Sequence, residues 1–407
     1  MKARIVILLL GLAAASSAQN KIKYNVFLRS DAGEDTLWDG RIIRVYGLAS
    51  RLTEEPHIPA KTLYCREGDT VALRTLNISQ GDHHTIHLHG LDVDTKNDGD
   101  PATSFSLAHM QDTDYTFYAR HAGTYLYHCH VADVVHVQMG MYGLLVILPK
   151  DGSKTAWTGG PAFDVSYNWI LSEVDHAWHD NIPKHDSTVD TVHLPLYKPD
   201  YFLVNGRSET SVTEDSTAIN AKQGQTVYLR LGAIGFFYQR IIFPSWMQAR
   251  KIDSDGRPLP SAIESDTIEI APGERYGILL NITQSTIDSV LIEYVNMNTD
   301  SVLERQYVAV NTMQSSVDAS PTLASIQVYP NPASSTAIIS LTCETESALM
   351  LSLYNALGVR VLAIYEGRLM QGTSVIEFIA DKLPNGLYYV NVAINGKSSM
   401  MPLLISR

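Results

Sequence analysis

One cysteine stands between two histidines at His128-Cys129-His130, and His136 and Met141 follow within the next dozen residues. Along a β-strand the side chains alternate faces, so His128 and His130 point to one side and Cys129 to the other. A chain that uses all of these groups needs a strand with working chemistry on both faces. The neighbouring sequence agrees, since Thr124–Cys129 and Met141–Pro149 read as apolar strands on either side of a connecting loop. Two imidazoles and a thiolate in a trigonal plane, with a weak axial thioether, form a ligand set soft enough for Cu(I) that also holds Cu(II). Cys129, His136 and Met141 supply three of those four groups.

The missing imidazole is sought in the other dense histidine stretch, His83-His84-Thr85-Ile86-His87-Leu88-His89-Gly90, where His84 is the candidate. Alternation puts His87 and His89 on one face of their strand. Two adjacent strands would then present His87, His89, His128 and His130 as one patch, back to back with the first group through the Cys129 backbone. A lone buried cysteine is usually a small hydrophobe and nothing more. Here six histidines, one cysteine and one methionine fall at ligand spacing within the 58 residues from His84 to Met141, which makes two copper sites the better reading.

The pattern HxxHLHG followed by HCH, His136 and Met141 resembles the copper signatures of the multicopper oxidases, the laccase-like family of cupredoxin-fold enzymes. The resemblance implies that His84, Cys129, His136 and Met141 hold a type 1 copper. It implies further that His87, His89, His128 and His130 provide half of a type 2/type 3 oxygen-reducing cluster. His84 rather than His83 matches the family's spacing to the HLH pair. The segment from Cys129 to His136 is longer than in typical laccases. On this resemblance the chain is a copper-dependent oxidoreductase that takes electrons from a small-molecule or metal-ion reductant and passes them to oxygen.

With 407 residues, 45% hydrophobic and 18% charged, the chain is long enough for two to four domains with real cores. A net charge of −12 without a basic cluster argues against nucleic acid and anionic membrane surfaces. Three scattered cysteines do not make a disulfide framework. Residues 1–18 have a positive start, an apolar run and a small-residue end, which reads as a secretory signal peptide, and no other run is long enough to span a membrane.

The remainder is all-β: two cupredoxin-like Greek-key β-sandwich domains, expected at 19–150 and 164–313, followed by a small β-sandwich at 326–407. The first carries both histidine stretches. In the second, Phe236-Phe237-Tyr238-Gln239 stands where a copper domain would show its histidine pair, and Asp266–Leu280 resembles the copper-free domain of laccase-like oxidases. The third resembles the C-terminal sorting domain of type IX secretion cargo, with Asn395-Gly396 as a hairpin-turn signal, so export through that machinery is expected. Asp92, Asp94, Asp98 and Asp100 read as a solvated loop, and His176, His179, His185 and His193 as surface histidines.

The histidine count leaves three function classes. A complete family cluster needs four His-x-His pairs and this chain has two, so an oxidase would complete its cluster with another chain, a homo-oligomer being one such arrangement. A blue-copper electron carrier would keep the four imidazoles unused. A copper nitrite reductase fits least, since that family resemblance requires Asp at His87, no histidine at His130 and a histidine from domain two. The four imidazoles favour the oxidase.

Overall fold

The structure, a computed structural model, describes residues 20–81, 83–182, 194–208, 217–313, 323–343, 346–355, 360–394 and 397–407. The signal peptide reading at residues 1–18, the histidines at 185 and 193, and the Asn395-Gly396 turn lie outside the described residues. The chain divides into two compact units between Ser315 and Ser316.

In the first sandwich of the larger unit the strands are β1 (Lys21–Thr36), β2 (Ile42–Ala49), β3 (Leu63–Arg66), β4 (Thr70–Asn77), β5 (His87–His89), β6 (Asp112–Tyr118), β7 (Gly123–His128) and β8 (Tyr142–Leu148). They form two four-stranded sheets ordered β2-β1-β4-β6 and β3-β8-β7-β5. The β1–β4 and β3–β8 pairs are parallel and the others antiparallel. Alternation along β4 sends Val71 and Leu73 inward, where they meet Val26, Leu28, Phe117, Tyr125, Tyr127 and Ile147.

β7 departs from simple alternation because all six of its residues are buried. The reason is a second apolar surface. Tyr125, Tyr127 and then Cys129 face the core of the first sandwich. Leu126, with Leu144 of β8, faces away from it onto Ile170, Val174, Leu203 and Ile234 of the following sandwich. A strand covered on both faces reads as a continuous apolar run. Each fully buried leucine here contributes roughly 1.5–3 kcal/mol relative to exposure. A Cβ added at Gly232 would lie 2.9 Å from Leu144, so the two sandwiches pack at close range.

The second sandwich pairs a six-stranded sheet, which includes β9 (Val165–Val174), with a five-stranded one. Its core is built from Trp169, Leu229, Ile241, Ile278, Ile292 and Val308 among others. Two short helices serve the site: α1 (Asp133–Gln138), in the stretch read from sequence as a loop, and α2 (His176–Asn181). His179 on α2 is buried, against the surface expectation, because its Nδ1–H donates to the Arg44 carbonyl of β2 at 2.6 Å. His176 remains part-exposed beside Asp200.

The smaller unit is a sandwich of a three-stranded and a four-stranded sheet. Thr336–Cys343 alternates strictly between buried and part-buried positions, and Ile339, Leu341, Leu351, Val390 and Leu403 fill the core. No helix among the described residues is long and apolar enough to cross a membrane.

Candidate metal centre

Antiparallel pairing of β5 with β7 sets His87 opposite His128 and His89 opposite Leu126. This register brings the two histidine stretches together as the alternation predicted. Donor atoms of His84, Cys129 and His136 lie within 4.8 Å of one another, and so do those of His87, His89 and His128.

In the first group the Cys129 Sγ is 3.2 Å from His136 Nδ1 and 3.6 Å from His84 Nδ1, and the two Nδ1 atoms are 3.3 Å apart. The centre of such a triangle is about 2 Å from each corner, the length of a bond from a transition metal to nitrogen or sulfur. The tautomers suit this. The Ser79 hydroxyl donates to the Leu28 carbonyl at 3.2 Å, so it accepts from His84 Nε2–H at 3.0 Å and leaves the His84 Nδ1 lone pair facing Cys129. Tyr46 meets the His136 ring edge-on at 5.6 Å. Met141 is held between the other two elements: its N–H donates to the His136 carbonyl and its carbonyl accepts the Cys129 N–H, each at 3.0 Å. Its side chain is buried in the same core as Cys129 and Met139.

Burial governs the ionisation of this group. It lowers His136 to about 4 and drives His84 well below its ordinary range, so both imidazoles are neutral and carry a free lone pair at neutral pH. The same desolvation pushes the Cys129 thiol up to about 11. A thiolate forms here only when a cation takes the proton's place.

On the opposite face of β7, His128 Nδ1–H donates to the Cys129 carbonyl at 2.9 Å and His87 Nδ1–H donates to the Asp98 carbonyl at 2.8 Å. Both Nε2 atoms are thereby left as acceptors. His128 Nε2 approaches His89 Nδ1 at 3.2 Å. His130, its N–H donating to Thr85 Oγ1 at 3.1 Å, stands beside the group with its ring centre 5.0 Å from that of His87. Burial lowers His128 to about 3 and His89 to about 4, the latter helped by the nearby Arg275 guanidinium. The donors of both groups are those that hold copper: neutral imidazole on one side, imidazole with thiol on the other.

Several supporting residues escaped the sequence reading. Asp98, taken for part of a solvated loop, fixes the His87 tautomer through its carbonyl and places a carboxylate oxygen 3.6 Å from His87 Nδ1. Asp92 is solvent-facing but pairs with Arg257 at 2.7 Å. Arg275 from the second sandwich is buried against Gly90, where an added Cβ would lie 2.1 Å from the guanidinium. Nothing local in the sequence marks Arg275, because its proximity to His89 comes from the packing of the two sandwiches.

Residues 48–152 and 168–329 each match a multicopper oxidase family model, and residues 327–406 match the secretion system C-terminal sorting domain. The copper-containing nitrite reductase of Neisseria meningitidis serogroup B is 28% identical over 182 residues, 44% of this chain and 43% of that protein. The L-ascorbate oxidase of Nicotiana tabacum is 31% identical over 157 residues, 37% of this chain and 25% of that protein. The chain therefore spans less than half the length of these curated relatives. Among solved structures, the blue copper oxidase from Nitrosomonas europaea superposes with a TM-score of 0.58 at 25% identity, covering 72% of this chain and 86% of that one. The sorting domain marks the chain for secretion or the cell surface. With two cupredoxin-like sandwiches, paired histidine and cysteine groups suited to copper and both family models matched in order, the chain belongs to the multicopper oxidases.

Proposed function

We propose that this chain is a secreted copper oxidoreductase that takes electrons from a reductant at one copper site and delivers them to dioxygen at another. His84, Cys129, His136 and Met141 hold the first copper, of type 1. His87, His89, His128 and His130 hold the second, of type 2/type 3 character. The observation that carries the reading is the position of Cys129. Its sulfur belongs to the first group, while its carbonyl accepts the Nδ1–H of His128 in the second at 2.9 Å. Copper bound at the first group supplies one-electron chemistry between Cu(II) and Cu(I), and copper at the second supplies electrons to oxygen.

The protein's own residues set the conditions for that chemistry. Ser79 and Asp98 fix imidazole tautomers, and Gly90 admits Arg275 beside His89. The first group is closed to direct contact, His84 being 0% and His136 4% exposed, so a reductant gives up its electron across a layer of protein. The second is more open, since the His87 side chain is 18% exposed.

The second sandwich offers Arg275 and the Gly273 backbone to the histidine patch and no imidazole among its described residues. A trinuclear site then takes its remaining ligands from another chain. A two-fold pairing of first sandwiches is the simplest arrangement, because an isologous contact sets one patch against its copy and doubles the ligand count. The sandwiches are assigned to 19–150 and 164–313 and the sorting domain to 326–407.

One observation favours a second reading, reduction of nitrite. The three imidazoles of His87, His89 and His128 converge enough for a single ion without a partner chain, and nitrite reductases are among the relatives. Oxygen uptake and anaerobic nitrite consumption by copper-loaded protein, each with an organic reductant, separate the two. The oxidase reading expects oxygen uptake that His87→Ala and His130→Ala abolish while the blue colour stays. Nitrite consumption without oxygen uptake would replace it, and a blue protein active toward neither would be an electron carrier.

A further inference from the structure

Glu173, at the end of β9 in the second sandwich, is 3% exposed and has no basic side chain within ion-pair distance among the described residues. One carboxylate oxygen, Oε1, accepts from the backbone N–H groups of Phe236 and Phe237, the latter at 3.1 Å, and from the Tyr197 hydroxyl at 3.3 Å. The other, Oε2, is buried without a hydrogen-bond partner. It lies against Gly235, where an added Cβ would come within 1.9 Å of it. A glutamine would make every contact that Oε1 makes. The negative charge has hydrogen-bond donors on one oxygen and no counter-ion among the described residues, and burying a charge so incompletely compensated is costly.

The same stretch of β9 holds both flanks of the first metal group. The Glu173 carbonyl accepts the side-chain N–H of Gln138 at 2.9 Å, and Gln138 closes the helix that carries His136. The Ser172 hydroxyl accepts from the Tyr142 hydroxyl at 2.8 Å, and Tyr142 follows Met141. Burial, and after it the Glu173 charge, raises the hydroxyls of Tyr142, Tyr197 and Tyr294, which puts the carboxylate beside Tyr142, the residue that follows Met141.

We propose that Glu173 is a tuning residue of the type 1 centre, its buried charge, without a counter-ion among the described residues, favouring Cu(II) over Cu(I). This rests on the assignment of His84, Cys129, His136 and Met141 to that centre. The titratable groups around the carboxylate are the Tyr197 hydroxyl, which donates to it, and the Tyr142 and Tyr294 hydroxyls, which feel its charge, while Asp175 acts on the same Tyr197 hydroxyl; burial pushes Glu173 itself up to about 7. Below that pH it is neutral and the bias is absent. Above it the carboxylate is charged and the midpoint potential falls.

The test is a redox titration of the copper-loaded full chain, followed by its visible band, at pH 5.5 and 8.5, for wild type and Glu173→Gln. The expected result is a wild-type midpoint that drops between the two pH values and a variant midpoint that stays at the acid value. The difference at pH 8.5 should be on the order of tenfold in the Cu(II)/Cu(I) equilibrium, about 59 mV for a one-electron couple. Tyr197→Phe, which removes a donor to the carboxylate, should move the wild-type step to higher pH and serves if the glutamine variant does not fold. Equal midpoints for Glu173→Gln and wild type at pH 8.5, or a step that Tyr197→Phe leaves in place, overturn the inference while the blue band stands. A wild type without the band overturns the site assignment together with it.

Discussion

Copper binding at the first group should release one proton, and the structure fixes that count. Burial holds His136 at about 4 and His84 well below its ordinary range, so neither imidazole carries a proton to lose at pH 5.5. Burial holds the Cys129 thiol at about 11, so it is protonated throughout the range and must give its proton up. Affinity therefore rises tenfold for each unit of pH, with the stronger binding on the alkaline side. Between pH 8.5 and 5.5 the sum is about a thousandfold, roughly 4 kcal/mol at about 1.36 kcal/mol per unit. Two ordinary imidazoles titrating near 6.5 would each add about tenfold at pH 5.5, for about a hundred-thousandfold in all. Competition with a chelator of known proton affinity, read by the growth of the blue band as Cu(II) is taken up, measures the slope directly. A loss near a hundred-thousandfold would refute the claim that the two imidazoles are kept neutral by burial.

Three further outcomes are expected. Met141→Leu should retain copper and shift its reduction potential, because an axial thioether is a weak ligand, and redox titration of the visible band checks it. Gly99→Ala should cost about 2–4 kcal/mol in urea unfolding, since Gly99 sits at φ +79° and an added Cβ would lie 1.9 Å from the Ile86 carbonyl oxygen and 2.8 Å from the His87 nitrogen. Copper in the second group should be lost before the blue band. Deletion of Val328–Arg407 should leave copper binding intact and stop export, and mass spectrometry of the exported wild type should find that segment removed; an exported product still ending at Arg407 excludes removal.

The grouping of the histidines and the cysteine was legible because it obeys the shortest periodicity a chain can have. A one-residue alternation through His128-Cys129-His130 decides which side each group faces, and the His87–His128 pairing follows once two such strands lie side by side. The helix α1 was not legible. Asp133-Val134-Val135-His136-Val137-Gln138 is rich in β-branched valine, which weakly disfavours helix, and its six residues are too short for a periodic signal. Packing decides instead: Val135 is buried in the first core and Val137 in the surface shared with the second sandwich. His179 misled for the same reason, since the Arg44 carbonyl that accepts its proton is 135 residues away. Arg275 and Asp98 come beside His89 and His87 only through tertiary contacts, and their sequence neighbourhoods look like those of any sandwich.

The central claim is that Cys129 and His136, with His84 and Met141, form a type 1 copper site. The visible and electron paramagnetic resonance spectra of copper-loaded wild type beside Cys129→Ser test it most directly. Wild type should show an intense blue band with the narrow copper hyperfine splitting of a thiolate-bound Cu(II), and Cys129→Ser should lose both with copper still bound at the second group. A colourless copper-loaded wild type, or a blue band that survives Cys129→Ser, would contradict it.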